Sequence, residues 1–440
     1  MESQNQRSSH GVDVQASNIG LKSAGMQGPL SGITVLDMTR ALAGPHAGMM
    51  MGDLGAFVIK VETPGTGDDT RGWGPPFVGP EDEQESTYFL SCNRNKSSIA
   101  LNLKEDEDKE TLTRLIRQAD VLMENFRTGV LARLGFSTER LHELNPRLVV
   151  LSITGFGHDG PESHRSGYDQ ILQGEAGLMS VTGSGPDDPQ KVGVPIADLL
   201  SGMYGAYGAL AALREREFTG LGQVVRTSLL AAIVGVHAFQ GTRATVADET
   251  PVALGNHHPS IAPYGLFACA DGHVQISVGS QKLWHDFSQA VGIDAADPRF
   301  ATNADRVAHR NELIEEIENA FRSSSLSDLL AHLGAIGVPA GKVRSIPEVY
   351  EWEQTKSQGL AIDVDHPLLG NVTLPGPPLR FFDAATEAET TRKVHSAPPQ
   401  LAADAEAIMG WLDERESRSS REQDLDTTRD RTTRQQGVQL

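Results

Sequence analysis

The chain has 440 residues, more than one hydrophobic core usually covers, and 39% of them are hydrophobic, so two or three domains are expected. Its 38 Lys and Arg against 58 Asp and Glu give a formal net charge of -20, which argues against a nucleic-acid binder and against electrostatic attachment to an anionic membrane. The two cysteines, Cys92 and Cys269, form no metal-binding or disulfide pattern, so we expect a reducing compartment, the cytoplasm, and no metal site.

Both ends of the chain are polar. Residues 1–28 lack the apolar core of a signal peptide, and residues 414–440 have mixed charge, few apolar side chains and no periodicity. We therefore expect two disordered tails on a protein that is not anchored in a membrane. The most apolar stretch, Ile196 to Leu213, contains Asp198 and three glycines, and it predicts a buried helix rather than a membrane span.

The first half of the chain alternates apolar runs with helical segments. Strands are predicted at Ile33–Asp37, Phe57–Val61, Val121–Glu124 and Leu148–Ile153, and helices at Gly44–Leu54, Val130–Leu134 and Glu139–Leu144. Strands that are apolar throughout and separated by helices are typical of a parallel sheet covered on both faces. The pattern predicts a large, Rossmann-like α/β domain.

The second half predicts a smaller α+β domain. After a helical stretch to about Gln240 come a loop (Leu254–Tyr264), a strand (His273–Val278) and helices at Gln281–Val291, Arg306–Ser323 and Leu326–Leu333. A strand-like run, Asn371–Leu374, is expected to return to the first domain. The predicted boundaries are 29–240 for the large domain, 241–345 for the small domain and 346–413 for the returning segment.

Asp198 is the most unusual acidic residue. It follows an extended segment, KVGVP, and opens an apolar helix of small residues, so its position alone favours an N-cap. A carboxylate beside a helix N-terminus also stays ionised and can attack a thioester carbonyl. Gly202, Gly205 and Gly208 each cost the helix roughly 1 kcal/mol against alanine, so either a ligand or a neighbouring element must approach it closely.

Most short catalytic signatures are absent. The chain has no phosphate-binding P-loop, no HExxH and no GxSxG, and the stretch Gly65–Gly74 lacks the third glycine of a dinucleotide fingerprint, so it predicts a polar loop after a strand. His164, Tyr168 and Asp169 lie where a glycine-rich loop enters a helix and are explained equally by surface or capping roles. Seven basic residues are expected in loops and together are candidates for binding an anion: Arg40, Arg71, Lys96, Lys104, Arg127, Arg133 and Arg165.

Several longer motifs occur in a fixed order along the chain. They include LSGITVLDMTRALAGP, LGAFVIKVETPGTGDDTR, CNRNKSSIALNLK, ADVLMENFRTGVLARLGF, NPRLVVLSITGFGHDGP, VPIADLLSGMYGAYGALAAL and TGLGQVVRTSLLAA. On these motifs the chain from Leu30 to Leu412 resembles the family III CoA-transferases, which include formyl-CoA transferase and carnitine CoA-transferase. The resemblance implies a Rossmann-like domain built from both chain ends, a small domain between them, and a homodimer of interlocked rings.

The resemblance also implies a mechanism. Asp198 aligns with the family's nucleophilic aspartate, which attacks a donor acyl-CoA to give a mixed anhydride and then an aspartyl-CoA thioester. An acceptor carboxylate takes the aspartyl group, and coenzyme A returns to it. Coenzyme A and acyl-CoA are thus substrates rather than permanently bound cofactors, and the implied partners are small carboxylic acids.

The family's coenzyme A contacts map onto positions of this chain. They are Arg40, Ala41, Leu42, Leu101, Lys104, Asn125, Phe126, Arg127, Arg133, Tyr168 and Asp169, with a substrate loop at Gly255, Asn256, His257 and His258. The chain departs from the formyl-CoA transferase pattern at Leu42, Thr63 and Ser166, which stand for glutamine, arginine and lysine. Its substrate loop also has a single glycine, so formate and oxalate are not the expected substrates.

Two alternatives remain open at this stage. The same family includes 2-methylacyl-CoA racemases, which carry a histidine where this chain has Tyr168, and an unperturbed tyrosine is a poorer base at neutral pH. A coenzyme A-binding protein without chemistry is expected to lack the nucleophile, whereas Asp198 is present. We therefore prefer the transferase, with the acid pair undetermined.

Overall fold

The computed structural model describes residues 27–418 and 421. Its strands are β1 (Thr34–Asp37), β2 (Phe57–Glu62), β3 (Phe77–Val78), β4 (Glu85–Ser86), β5 (Lys96–Ala100), β6 (Val121–Glu124), β7 (Val149–Thr154), β8 (Val224–Ser228), β9 (Tyr264–Cys269), β10 (Gly272–Ser277), β11 (Ala340–Lys342), β12 (Ala361–His366) and β13 (Gly370–Pro375). Its helices are α1 (Ala43–Asp53), α2 (Thr87–Cys92), α3 (Asp106–Gln118), α4 (Val130–Arg133), α5 (Thr138–Leu144), α6 (Asp169–Glu175), α7 (Ile196–Thr219), α8 (Leu229–Gly235), α9 (Ala238–Val246), α10 (Gln281–Val291), α11 (Asn303–Ala308), α12 (Arg310–Phe321), α13 (Leu326–Ala335), α14 (Ile346–Glu351) and α15 (Glu353–Ser357). A C-terminal helix covers 405–418.

The chain forms two compact units. The larger is built from the described residues of Met1–Tyr168, Ala197–Ala232 and Gly359–Leu440, and the smaller from Asp169–Ile196 and Ile233–Gln358. The larger unit therefore takes up chain from both ends. Residues 169–196 group with the smaller unit, although they fall within the predicted range 29–240.

A six-stranded parallel sheet forms the centre of the larger unit. Its strand order is β5-β2-β1-β6-β7-β8, and all neighbouring pairs are parallel. Leu36, Ile59, Leu122 and Leu151 are fully buried in it. The predicted α/β fold with a parallel sheet is confirmed. Strands β5 and β8 were not predicted, because their sequences KSSIA and VVRTS are too polar to be recognised as buried strands.

Helix α7 packs closely on the sheet through its glycines. A Cβ built at Gly202 would lie 2.4 Å from the carbonyl oxygen of Ala43, and one built at Gly208 would lie 2.6 Å from Cγ1 of Val225. A Cβ at Gly205 would meet Leu151 at 3.1 Å. Close packing of neighbouring elements thus explains the glycines. Helix α7 is long and apolar enough to span a membrane by length and composition, but its glycine-bearing face packs inside the larger unit.

The C-terminal part of the chain completes the core of the larger unit. Ile408 and Leu412 are fully buried, and the ring of Trp411 lies edge-on to Phe57 at 5.2 Å. The helix continues to 418 and so includes the first five residues of the predicted tail, 414–418, where Arg114 pairs with Glu416 at 2.7 Å. The rest of the predicted tails, 1–26 and 419–440 except 421, lies outside the described residues.

The smaller unit has a three-stranded antiparallel sheet, ordered β11-β10-β9, with helices α10 to α13. Phe267, Trp284, Phe287 and Phe321 form its buried aromatic core. The prediction of a single helix at Arg306–Ser323 is wrong. It is two helices, α11 and α12, because the backbone of His309 leaves the helical region at φ -107° and ψ 38°.

Candidate active site

The loop after β1 carries three of the predicted coenzyme A contacts, Arg40, Ala41 and Leu42. The side chain of Asn125, in the loop after β6, accepts from the backbone N–H of Arg40 at 2.9 Å and donates to its carbonyl at 2.7 Å. The Arg40 guanidinium donates to Thr63 Oγ1 at 2.8 Å and lies 5.9 Å from the ring of Phe126. The structure therefore brings the β1 and β6 loops together at the carboxyl ends of adjacent parallel strands, where ligands bind in such sheets.

Three predicted contacts are exposed cations. Lys104 follows β5, Arg127 follows β6, and Arg133 ends the short helix α4. In the part of the chain that the structure describes, none of the three has an ion-pair partner. They are available to an anionic ligand on a strongly acidic protein, whereas the predicted contact Leu101 is buried at the end of β5.

The prediction of Lys96 as a loop residue is wrong. It is the first residue of β5, and its side chain is fully buried with Nζ 2.7 Å from Asp37 Oδ2. A second buried pair, Lys60 and Asp68, lies beside it at 2.8 Å. Burial lowers the pKa of Lys96, and Asp37 offsets that only in part. For Lys60, the effect of burial is outweighed by Asp37 and Asp68, which raise its pKa.

Two other arginines that were predicted as candidates for binding an anion pair instead with acidic side chains of the protein. The Arg71 guanidinium binds the Glu62 carboxylate through two nitrogens at 2.8 Å and lies 3.7 Å from the centre of the Phe89 ring. Arg165 pairs with Glu162 at 3.0 Å. Both arginines therefore have acidic partners within the protein.

Asp198 is the third residue of α7, so it lies in the first turn of the helix rather than at its N-cap. It is half-buried. One turn later, Gly202 packs against the carbonyl of Ala43, the first residue of α1. The first turn of α1 therefore packs against the second turn of α7, one turn after Asp198, and Asp198 itself lies at the positive end of the α7 dipole.

Tyr168 and Asp169 border the start of α6. Tyr168 is 66% exposed, and His164 is exposed as well. Asp169 is the first residue of α6 and accepts from Gln173 Nε2 at 2.7 Å. Gln173 Oε1 in turn accepts from the backbone N–H of Val192 at 2.8 Å. Asp169 thus helps to hold the segment that leads into α7.

The predicted substrate loop, Gly255, Asn256, His257 and His258, belongs to the smaller unit. The His258 ring stacks between Phe239 at 5.4 Å and Tyr264 at 5.2 Å. Burial, with a smaller effect from Arg310, lowers the pKa of both histidines, so they are neutral at pH 7. Arg310 donates to the carbonyls of His258 and Pro259 and so fixes the backbone of this loop.

A cavity of about 190 Å³ in the larger unit, with a cluster of polar side chains on one wall, was not predicted. Glu124, Ser152 and Arg226 are opposite each other on β6, β7 and β8 and line the cavity. Ser152 Oγ donates to Glu124 and lies 2.7 Å from His158 Nε2, and Glu124 Oε2 accepts from the N–H of Phe126 at 2.9 Å. The residues stand far apart in sequence, so no local pattern reveals the cluster.

No cluster of three or more His, Cys, Asp or Glu side chains suited to a metal ion occurs among residues 27–418 and 421. Both cysteines are free, and burial raises the pKa of Cys92 to about 11.

Comparison with known proteins identifies the family. The model of CoA-transferase family III matches residues 30–405. The chain belongs to CoA-transferase family III. The prediction of a CoA-transferase is confirmed, and the protein is an enzyme that transfers coenzyme A from an acyl-CoA to a carboxylic acid.

Relatives and solved structures agree with this assignment. The chain is 42% identical over 341 residues to succinate–glutarate CoA-transferase of Agrobacterium fabrum, which covers 77% of this chain and 85% of the relative. It is 38% identical to succinyl-CoA:glutarate CoA-transferase of Homo sapiens, with 80% of each chain covered. A CAIB/BAIF family protein from Brucella suis has the same fold, with a TM-score of 0.78, 40% identity, and coverage of 88% of this chain and 99% of that one.

Proposed function

We propose that this CoA-transferase works through a covalent intermediate on Asp198. The carboxylate attacks the thioester carbonyl of the donor, the C–S bond breaks, and a mixed anhydride and the coenzyme A thiolate result. The thiolate attacks the aspartyl carbonyl and releases the donor acid, leaving an aspartyl-CoA thioester. The acceptor carboxylate repeats the sequence in reverse, and Asp198 is regenerated with no net gain or loss of protons.

The position of Asp198 carries this proposal. A nucleophile must be ionised at neutral pH, and a carboxylate in the first turn of a helix is stabilised in that form by the helix dipole. The first turn of α1 lies beside α7 through the contact of Gly202 with Ala43 and adds a second positive end. The same helix ends supply N–H groups toward the oxyanions that form at each tetrahedral step.

Coenzyme A is proposed to bind across the carboxyl ends of β1, β5 and β6. The backbone of Arg40, Ala41 and Leu42 borders this edge of the sheet. Lys104, Arg127 and Arg133 supply positive charge for the phosphates, as cations do in phosphate recognition. The side-chain amide of Asn125 is already bonded to Arg40, so its proposed part is to shape the loop as well as to contact the ligand.

We propose dicarboxylic acids as the substrate class, with succinyl-CoA as donor and a five-carbon dicarboxylate such as glutarate as acceptor. Relatives at 42% and 38% identity are named for succinate and glutarate, and others at 36% for succinyl-CoA and mesaconate. The loop Gly255–His258 is the proposed substrate loop. A panel of dicarboxylates and monocarboxylates of equal length, assayed with succinyl-CoA, tests this choice.

A trapping experiment tests the nucleophile. The enzyme is incubated with an acyl-CoA donor, quenched with hydroxylamine or borohydride, and digested for mass spectrometry. We expect modification at Asp198, and a loss of transfer activity of several orders of magnitude in Asp198→Asn. Asp328, an acidic residue in the first turn of α13, provides the matched control, and Asp328→Asn is expected to retain full activity.

Other outcomes of the same experiment contradict the proposal. Full transfer activity in Asp198→Asn, or trapping at another carboxylate, would exclude Asp198 as the nucleophile. Exchange of the α-proton without any acyl exchange would indicate the racemase chemistry of the family instead.

A further inference from the structure

The loop from Thr39 to Ala41 is held almost entirely by side chains from other segments. Its residues lie between β1 and α1, outside any helix or strand. Ala41 has φ 65°, in the left-handed region that residues other than glycine avoid. A backbone in this conformation persists only where its surroundings hold it in place.

The backbone N–H and C=O groups of this loop form hydrogen bonds with individual side chains. The N–H of Thr39 donates to Asp37 Oδ1 at 3.0 Å, and its carbonyl accepts from Lys60 Nζ at 3.1 Å. Asn125 binds both polar groups of Arg40, as described above. The N–H of Ala41 donates to Asp68 Oδ1 at 3.2 Å. Lys60 and Asp68 therefore hold the loop on either side of Arg40.

Lys60 and Asp68 also hold each other. Lys60 Nζ lies 2.8 Å from Asp68 Oδ2, and both side chains are fully buried. Asp68 Oδ1 accepts in addition from the N–H and hydroxyl of Thr70, at 3.0 and 2.8 Å. The backbone N–H of Asp68 donates to Glu62 Oε2 at 2.9 Å. The pair is thus fixed by β2 and the loop after it, independently of any ligand.

We propose that the buried Lys60–Asp68 ion pair positions the β1 loop for coenzyme A binding. The inference rests on the proposed function, because it takes the backbone of Arg40, Ala41 and Leu42 as a contact surface for coenzyme A. Preorganisation of a binding loop lowers the free energy lost when the ligand orders it, so loss of the pair weakens binding.

The test replaces the pair by apolar side chains of similar shape, Lys60→Met with Asp68→Leu. A buried ion pair replaced as a whole often leaves stability unchanged, since no charge remains unpaired. We expect the KM for acyl-CoA and the Kd for free coenzyme A to rise by about tenfold or more, with a smaller change in kcat. Amide hydrogen exchange in a peptide covering 38–44 is expected to accelerate in the ligand-free enzyme.

A matched control uses the buried pair of Asp53 and Arg94, where Arg94 Nε donates to Asp53 Oδ1 at 2.8 Å. Asp53 ends α1 and Arg94 precedes β5, on the amino side of the sheet. The variant Asp53→Leu with Arg94→Met is expected to leave KM, Kd and exchange in 38–44 unchanged. Should the Lys60/Asp68 double variant not fold, Asp68→Asn keeps the side-chain shape and is expected to change the same quantities in the same direction.

Three results would overturn the inference in distinguishable ways. Unchanged KM, Kd and exchange in the Lys60/Asp68 variants would make the pair purely structural while the transferase mechanism stands. Equal rises in KM for both pairs would indicate a general effect of losing a buried ion pair. A wild-type enzyme that neither binds free coenzyme A nor transfers it would remove the proposed function itself.

Discussion

At the residue scale, the absence of a side chain at Gly202 determines how closely the amino end of α7 packs against α1. Gly202 allows the carbonyl of Ala43 to approach so closely that a Cβ would lie 2.4 Å from it, a distance that real Cβ atoms do not show. The position of Asp198 in the turn before it depends on this approach. A single methyl group at residue 202 would therefore separate the first turns of α1 and α7.

The variant Gly202→Ala tests this dependence. We expect a loss of stability of about 1–3 kcal/mol, the usual cost of overpacking, together with a fall in kcat, because Asp198 shifts with its helix turn. Gly410, in the helix 405–418, has open space around its Cα, so Gly410→Ala is expected to stabilise the protein by up to about 1 kcal/mol without changing kcat. Urea unfolding and steady-state kinetics on both variants give the two quantities. Equal effects from the two substitutions would contradict the argument.

At the element scale, the row of polar side chains across β6, β7 and β8 is sensitive to pH. Burial is the main reason why the pKa of Glu124 is raised, although Ser152, the N–H of Phe126 and Arg226 act against it. A carboxyl group with a raised pKa in the folded state stabilises the fold below its unfolded pKa of 4.5, and this contribution is lost as pH rises through the folded value.

Glu124→Gln removes this titration and keeps the shape of the side chain. Relative to the variant, the wild type is expected to lose stability as pH rises above about 4.5, because the pKa of Glu124 is raised in the folded state. Urea unfolding of both proteins across that range measures the difference. The exposed Glu406, replaced by Gln in the same way, is the control for the loss of an acidic side chain at the surface. A Glu124 difference that is constant with pH would show that the carboxyl group titrates normally.

The strands that could be predicted from sequence are those in which most of the buried side chains are apolar. β1, β2, β6 and β7 lie in the middle of the sheet, and their side chains are almost entirely buried. β5 could not be recognised, because the burial of Lys96 depends on Asp37, 59 residues earlier in the chain. The role of the Lys60–Asp68 pair could not be recognised either, because the loop that it holds lies about twenty residues earlier in the chain.

The site itself was only partly accessible from local sequence. Asp198 stands out as a carboxylate at the start of a helix, but only the ordered motifs distinguish it from a cap. The loop Arg40–Leu42 follows a recognisable strand, whereas its conformation depends on Asn125, which comes from another strand. The pairing of Arg71 could not be predicted, because its partner Glu62 lies at the end of a buried strand, where a paired acid is not apparent from the pattern.

At the scale of the whole molecule, α7 leaves an apolar surface exposed. Met203, Tyr204 and Tyr207 are 48%, 40% and 72% exposed on the single chain. Exposed apolar patches of this kind are typical of association sites. The family resemblance implies a homodimer of interlocked rings. We propose that this exposed surface of α7 contributes to the contact between the two subunits.

Sedimentation velocity tests this proposal and separates it from ordinary dimerisation. Interlocked subunits cannot separate without unfolding, so we expect the mass of two 47.3 kDa chains at every dilution that allows detection. An ordinary dimer obeys mass action, and its apparent mass falls on dilution. A single-chain mass, or a mass that decreases with dilution, would refute the interlocked arrangement.

The construction of the larger unit from both ends of the chain has a consequence for biosynthesis. Its sheet is encoded before residue 229, but Ile408 and Leu412, which close its core, are synthesised only after residue 358. Most of the smaller unit, residues 233–358, is encoded in between, and its aromatic core requires neither Ile408 nor Leu412. A nascent chain therefore carries a parallel sheet with an unfinished core while residues 233–358 are synthesised, and such a state is prone to aggregation.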